Sequence, residues 1–220
     1  MRQKTTQILY AYWNEVRGDR LAPKRFDIEP GRIANILSET FILERAPDGD
    51  YPFRLAGTRI CEVFGTEFRG LNFLDAWAVD DRLTLERQLQ TAAQQGGVVV
   101  FAFEALGQDP ARSAAFEGIL LPLTHQNGGV LRFLGSLSPL LSPPWLGVER
   151  LKAWRLIDHE LIWPDGRPHA VADKMRQESL AEVRRGQNVV ALSGARIVRG
   201  ERRAFRVLEG GLKGDPNQGQ

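Results

Sequence analysis

The order of elements between Phe41 and Ser138 constrains this chain more than any single residue does. Two strand-forming runs come first, Phe41-Ile42-Leu43-Glu44-Arg45 and Tyr51-Pro52-Phe53-Arg54-Leu55-Ala56. Between them Pro47-Asp48-Gly49-Asp50 has the residue types of a tight turn, so the pair reads as a hairpin. Pro52 has no N–H to offer a ladder, which suits an edge strand or a bulge. About forty helix-rich residues follow. Three more strands then run over Val98–Leu106, Ser113–Thr124 and Val130–Ser138. Their connectors, Gln108-Asp109-Pro110 and Gln126-Asn127-Gly128-Gly129, are short enough for antiparallel hairpins. The class is α+β.

Within the helical insertion, Thr58 can cap a helix over Arg59–Phe64, and Gly65 can stop it. Gly70 allows a second break. Asp80 or Asp81 can cap a longer helix through Gln95, with Leu83, Leu85, Leu89 and Ala92 apolar, and Gly96-Gly97 ends it. Ile119-Leu120-Leu121 does not alternate apolar with polar, so that strand is expected to be covered on both faces. The inserted helices can cover one face; an N-terminal helix or a partner chain can cover the other. Thr5–Arg17 supplies such a helix. Ile8, Leu9, Tyr12, Trp13 and Val16 share one face, and Gly18 ends it. That face either docks on its own domain or builds a dimer. Pro30 to Leu37 reads as a short helix with proline in its first turn.

The resulting plan is an N-terminal helical cap (residues 1–40), a central domain (41–140) and a C-terminal extension (141–220) that is partly helical with a frayed end. The extension opens on the stiff Ser142-Pro143-Pro144-Trp145-Leu146-Gly147. Leu151–Trp163 mixes apolar and charged residues without a clear period, Ala170–Arg185 is helix-prone, and Asn188–Leu192 and Arg203–Leu208 could be short strands.

Charge is nearly balanced, 29 basic against 27 acidic side chains, which gives no case for nucleic acid or a membrane surface as partner. No apolar run approaches the ~18 residues of a membrane span, and the N-terminus has no signal-peptide core. A single cysteine, Cys61, rules out an intramolecular disulfide and fits a reducing compartment, so a cytoplasmic location is expected.

These elements resemble the PAS domain superfamily. Phe64-Gly65, Glu67, Gly70, Phe73-Leu74 and Asp80-Asp81-Arg82 look like the phrase common around its middle helices. The resemblance implies a five-stranded antiparallel sheet with helices inserted between strands two and three, plus an N-terminal helix and the C-terminal extension. The whole pattern is similar to a group of small alphaproteobacterial PAS proteins of unassigned function. The matching residues include Tyr12-Trp13, Arg17-Gly18, Ala22-Pro23, Asp27-Ile28, Leu55-Ala56-Gly57-Thr58-Arg59-Ile60-Cys61, Leu120-Leu121-Pro122-Leu123 and Trp145-Leu146-Gly147, over about residues 8–150. It implies sensing or protein interaction and names no ligand.

A PAS fold can hold a pocket between helices and sheet, lined here by Phe53, Leu55, Ile60, Val63, Phe64, Phe73, Leu74, Trp77, Leu120 and Leu134. The same residues describe a filled core. Flavin-binding members use a cysteine in Asn-Cys-Arg-Phe-Leu-Gln; this chain has Arg59-Ile60-Cys61-Glu62-Val63-Phe64, earlier in the fold, so Cys61 reads as buried and inert and flavin is not expected. Haem needs an axial ligand, and His125, His159 and His169 all fall outside the pocket-facing helix. No metal-ligand spacing, nucleophile frame or phosphate loop occurs. The expectation is a non-catalytic signalling module acting through protein–protein interaction, with itself as a homodimer and with an unidentified signalling protein. The alternative is a receptor for an apolar metabolite or cofactor.

Overall fold

Helix α1 (Lys4–Arg17) is followed by single 3-10 turns at Arg25–Asp27, Pro30–Ile33 and Leu37–Glu39. The sheet begins with β1 (Thr40–Glu44) and β2 (Phe53–Ala56). Then come α2 (Thr58–Phe64), a 3-10 turn (Phe73–Ala76) and α3 (Val79–Gln95). Strands β3 (Val98–Leu106), β4 (Ser113–Thr124), β5 (Val130–Pro139) and β6 (Ala153–Ile162) complete it. This computed structural model describes residues 1–109, 112–125, 129–171, 173–175 and 177–178, and Met1–Gln177 form one compact unit. The readings made for most of the tail, including 188–192 and 203–208, lie outside the described residues.

The strands form one antiparallel sheet in the order β2-β1-β5-β4-β3-β6. Strand alternation divides it into two faces. Inward point Phe41, Leu43, Val99, Phe101, Phe103, Phe116, Leu120 and Phe133, onto α2, α3 and the turn between them. Outward point Val98, Val100, Ile119, Leu121, Leu123 and Leu134, onto α1 and residues 22–36. The unbroken apolar run of β4 is thus explained: Leu120 serves one layer, Ile119 and Leu121 the other. Gly118 and Gly135 leave room for rings on the neighbouring strand. A Cβ on Gly118 would lie 2.3 Å from Phe101 Cζ, and one on Gly135 would lie 2.2 Å from Phe41 Cζ.

The sixth strand was not expected. β6 pairs with β3 from Val98↔Ile162 to Leu106↔Ala153. A bulge at Ile157 resets its alternation, and most of its side chains, among them Arg155, Asp158, His159 and Glu160, face solvent. Neither a period of two nor an apolar run therefore survives in the sequence. Helix starts differ slightly from expectation as well. Ala78 precedes α3 without a side-chain cap, and the Asp81 carboxylate instead accepts the backbone N–H of Leu156 on β6 (2.9 Å). Gly57 rather than Thr58 precedes α2; a Cβ there would lie 2.2 Å from the Ser38 carbonyl oxygen.

One inserted stretch fastens both ends of the sheet. On the β2 edge, Phe53 donates its N–H to Leu71 and accepts from Gly70 (2.9 and 2.8 Å). On the β6 edge, Trp154 accepts from Ala78, and Leu156 donates to Asp81. His159 N–H is held by its neighbour's carboxylate, Asp158 (2.8 Å). Asn72 anchors the middle of this stretch. Its amide oxygen accepts from Tyr51 and Leu74, and its amide nitrogen donates to Asp50 and Asp75.

Candidate functional site

The two faces offer different possibilities. On the inner face, Phe53, Ile60, Val63, Phe64, Phe73, Leu74, Trp77 and Leu120 come together as expected, each no more than 6% exposed. They meet rings that the sequence reading had not assigned to the site: Phe68, Phe101, Phe103, Phe116 and Trp154. Ring centroids lie 4.6 Å apart for Phe64–Phe116, 5.2 Å for Trp77–Phe103 and 5.0 Å for Phe103–Trp154. Edge contacts join Phe73 to Trp77 and Phe53 to Phe73. Such pairs each contribute about 0.5–1.5 kcal/mol beyond the area they bury. The rings pack against one another between the inserted helices and the sheet. The signal for Phe101, Phe103 and Phe116 was their alternation along β3 and β4; Phe68 lies in the irregular stretch after α2, and Trp154 was hidden by the irregular β6.

Leu55 and Leu134 do not belong to that group. A register shift between Ile42 and Leu43 pairs Phe53 with Leu43 but Leu55 with Ile42. One extra residue on β2 therefore turns Leu55 to the outer face. Leu134 pairs with Ile42 and Leu121, also outward. Both wall an outer groove of about 500 Å³ with Ile28, Ile33, Leu37 and Ile42. Arg25, Ser38, Thr40 and Thr58 are its polar members. Leu37 and Leu55 are 39% and 45% exposed there.

Beside the groove lies α1, and its apolar face is spent on its own chain. Leu9, Tyr12 and Trp13 are buried among Val98, Val100, Ile119 and Leu121, with Ile8 and Val16 half-buried at the margin. Of the two uses open to that face, docking on its own domain or building a dimer, these residues take the first: the outer apolar surface of β4 and β5, with Val98 and Val100 of β3 at its side, is their cover. Polar contacts fix the helix. Trp13 Nε1 donates to the Pro122 carbonyl (2.8 Å). The Arg2 and Gln3 N–H groups donate to Glu117 (2.6 and 2.9 Å). Thr5 and Ser138 hydroxyls donate to Glu39. Buried Arg17 forks onto Asp165 (3.1 and 3.2 Å).

The groove wall is tied to this helix. Glu29 N–H donates to Tyr12 Oη (2.6 Å), while Arg32 pairs with Glu15 (2.8 Å) and stacks 5.1 Å over Tyr12. At the strand end near Arg25, Glu44 sits between Arg54 and Arg132 (2.9 and 2.8 Å). The Arg54 hydrogen bond, aided by Arg132, holds its carboxyl below the usual glutamate range.

The residues weighed for redox or metal chemistry are scattered. Cys61 is half-buried on α2, its Sγ facing Glu67, rather than fully buried. His125 is exposed next to the β4–β5 connector, His159 is exposed on β6, and His169 pairs with Asp173. No three His, Cys, Asp or Glu side chains converge among the described residues. None of the described helices is long and apolar enough to cross a membrane.

A five-membered antiparallel array with helices inserted after its second strand, extended here by a sixth strand, is the architecture of a sensory domain. A family model described as a PAS domain matches residues 1–138, and the chain belongs to that family. Among solved structures it is similar to a PAS domain from Colwellia psychrerythraea (13% identity, 50% of this chain and 95% of that one, TM-score 0.39). It is also similar to a LOV protein from Rhodobacter sphaeroides (14%, 53% and 71%, TM-score 0.39). A sensory box histidine kinase/response regulator from Burkholderia thailandensis matches over 72% of this chain and 97% of its own (13%, TM-score 0.32). No curated protein matches the chain.

Proposed function

We propose that this chain is a cytoplasmic, non-catalytic sensory module that works through protein–protein interaction, as a homodimer and on an unidentified signalling protein. One observation carries the reading: the two faces of the sheet are built for different tasks. The inner face is packed with rings and holds the fold. The outer face carries a docked helix, a handful of polar contacts fixing it, and an open groove whose wall is bonded to that helix. A partner that prefers one docking of α1 over another would shift that equilibrium by its difference in affinity and no more. The phrases around Tyr12-Trp13 and Gly57-Thr58-Arg59 resemble those of small alphaproteobacterial PAS proteins, whose function is unassigned.

Light scattering of the eluting protein tests the homodimer. Phe26, 76% exposed on the outer side, is the apolar residue to probe. The expected result is a dimer that Phe26→Glu returns to a monomer that still unfolds cooperatively, at a melting temperature independent of protein concentration. A wild-type monomer at high concentration refutes the homodimer.

A second reading is favoured by the groove itself. A concave apolar space of about 500 Å³ lies within the range of small-molecule sites, so a receptor whose ligand binds on the outer face is the alternative.

A further inference from the structure

We infer that the outer groove takes a single-chain amphiphile with an anionic headgroup, of the fatty-acid class, with its tail against Leu37, Leu55 and Leu134 and its carboxylate at Arg25. The inference rests on the receptor reading and gives the ligand its chemistry. Two large aliphatic side chains left 39% and 45% exposed are unremarkable singly, but Leu37 and Leu55 converge on one concave space. Filling it with hydrocarbon removes that surface from water.

Charge decides the other end. Arg25 is the single charged residue in the groove lining, and no acid lies within ion-pair distance of it among the described residues. Arg25 also borders a second hollow of about 230 Å³, where Lys24, Arg45 and Arg132 gather. The one acid there, Glu44, is already held by Arg54 and Arg132. The positive end of the groove thus attracts an anion and repels a cation, and a guanidinium fork matches a carboxylate. A neutral or cationic amphiphile would leave Arg25 without a counter-ion.

The test is calorimetric titration of the whole chain with dodecanoate below its micelle concentration, with octanoate and dodecyltrimethylammonium as comparisons. Dodecanoate is expected to bind saturably, one per chain. Octanoate, four methylenes shorter, should bind about a hundredfold more weakly, because each buried methylene contributes about threefold to fourfold. Arg25→Glu should weaken dodecanoate at least about tenfold, and Leu55→Trp, which fills the groove, should abolish binding. Arg25 is half-exposed and Leu55 exposed, so both variants should keep the wild-type melting temperature. Equal dodecanoate affinity in wild type and both variants overturns the site. If dodecyltrimethylammonium binds as tightly as dodecanoate and Leu55→Trp abolishes both, the anionic class falls while the receptor reading stands. If nothing binds saturably, both fall. If the chain is a dimer whose groove is closed to dodecanoate until it dissociates, a second copy is the occupant and the inference is overturned.

Discussion

Replacing Trp13 with alanine tests how α1 is used. The indole is fully buried between the helix and strands β3, β4 and β5, and its Nε1 donates to the Pro122 carbonyl. A buried tryptophan removes about 150–250 Å² from water. At ~25 cal/mol per Å² that is about 4–6 kcal/mol, an upper bound because the unfolded chain already buries part of it. Large-to-alanine core changes cost about 3–5 kcal/mol, and the stranded carbonyl adds about 1 kcal/mol unless water reaches it. The expected loss is therefore about 4 kcal/mol. With a urea slope of about 2 kcal/mol per M, the midpoint should fall by about 2 M. Urea titration followed by circular dichroism reads it. Trp13→Phe separates the parts: it keeps most of the area, loses the hydrogen bond and should cost about 1 kcal/mol. An unchanged midpoint in Trp13→Ala would refute docking of α1 on its own sheet. It would return Tyr12 and Trp13 to the role of an intermolecular face.

Gly135→Ala should destabilise the protein by about 1–3 kcal/mol, since its Cβ would enter the fully buried ring of Phe41. Gly31→Ala, with nothing within 4 Å, should stay within about 0.5 kcal/mol; equal urea midpoints for the two would show that the ring does not lie across the glycine. Acid stability follows from Glu44, whose carboxyl Arg54 and then Arg132 hold below the ordinary range. A folded value below the unfolded one means the stabilisation is present above about pH 4.3 and is lost as pH falls through the folded value. Glu44→Gln should lower the melting temperature at neutral pH and narrow its gap to wild type in acid; a gap independent of pH would refute the assignment.

The sequence was informative wherever one physical rule had one outcome. Three hairpin connections and an interposed helical stretch leave few ways to close a sheet, and the two-sided apolar run at Ile119–Leu121 correctly required two covering layers. It was uninformative where a local irregularity outweighs the period. The bulge beside Ile42 turns Leu55 outward, so eight of the ten residues assigned to one pocket share the inner face while Leu55 and Leu134 meet on the outer one. The bulge at Ile157 and the solvated side chains of β6 concealed a strand. In α1 the period showed that one face had to be covered, but periodicity carries no information about the partner. Only the geometry shows that β4 and β5 supply most of the cover.

The fastening of β2 and β6 by residues 70–81 has a consequence for how this protein fails. Unpaired strand edges template the addition of foreign strands, and a terminal strand is where polymerisation starts. Here most of the guards on both margins come from one short stretch, the Asp158 carboxylate on the His159 N–H aside, so they are not independent safeguards. Melting that stretch would bare the two rims of the sheet at once and give each molecule two sticky sides, which is what growth of a fibre requires. Asn72, which ties this stretch to Tyr51 and Asp50, is therefore the place where a substitution is expected to raise aggregation before it lowers the melting temperature, as light scattering during storage would show.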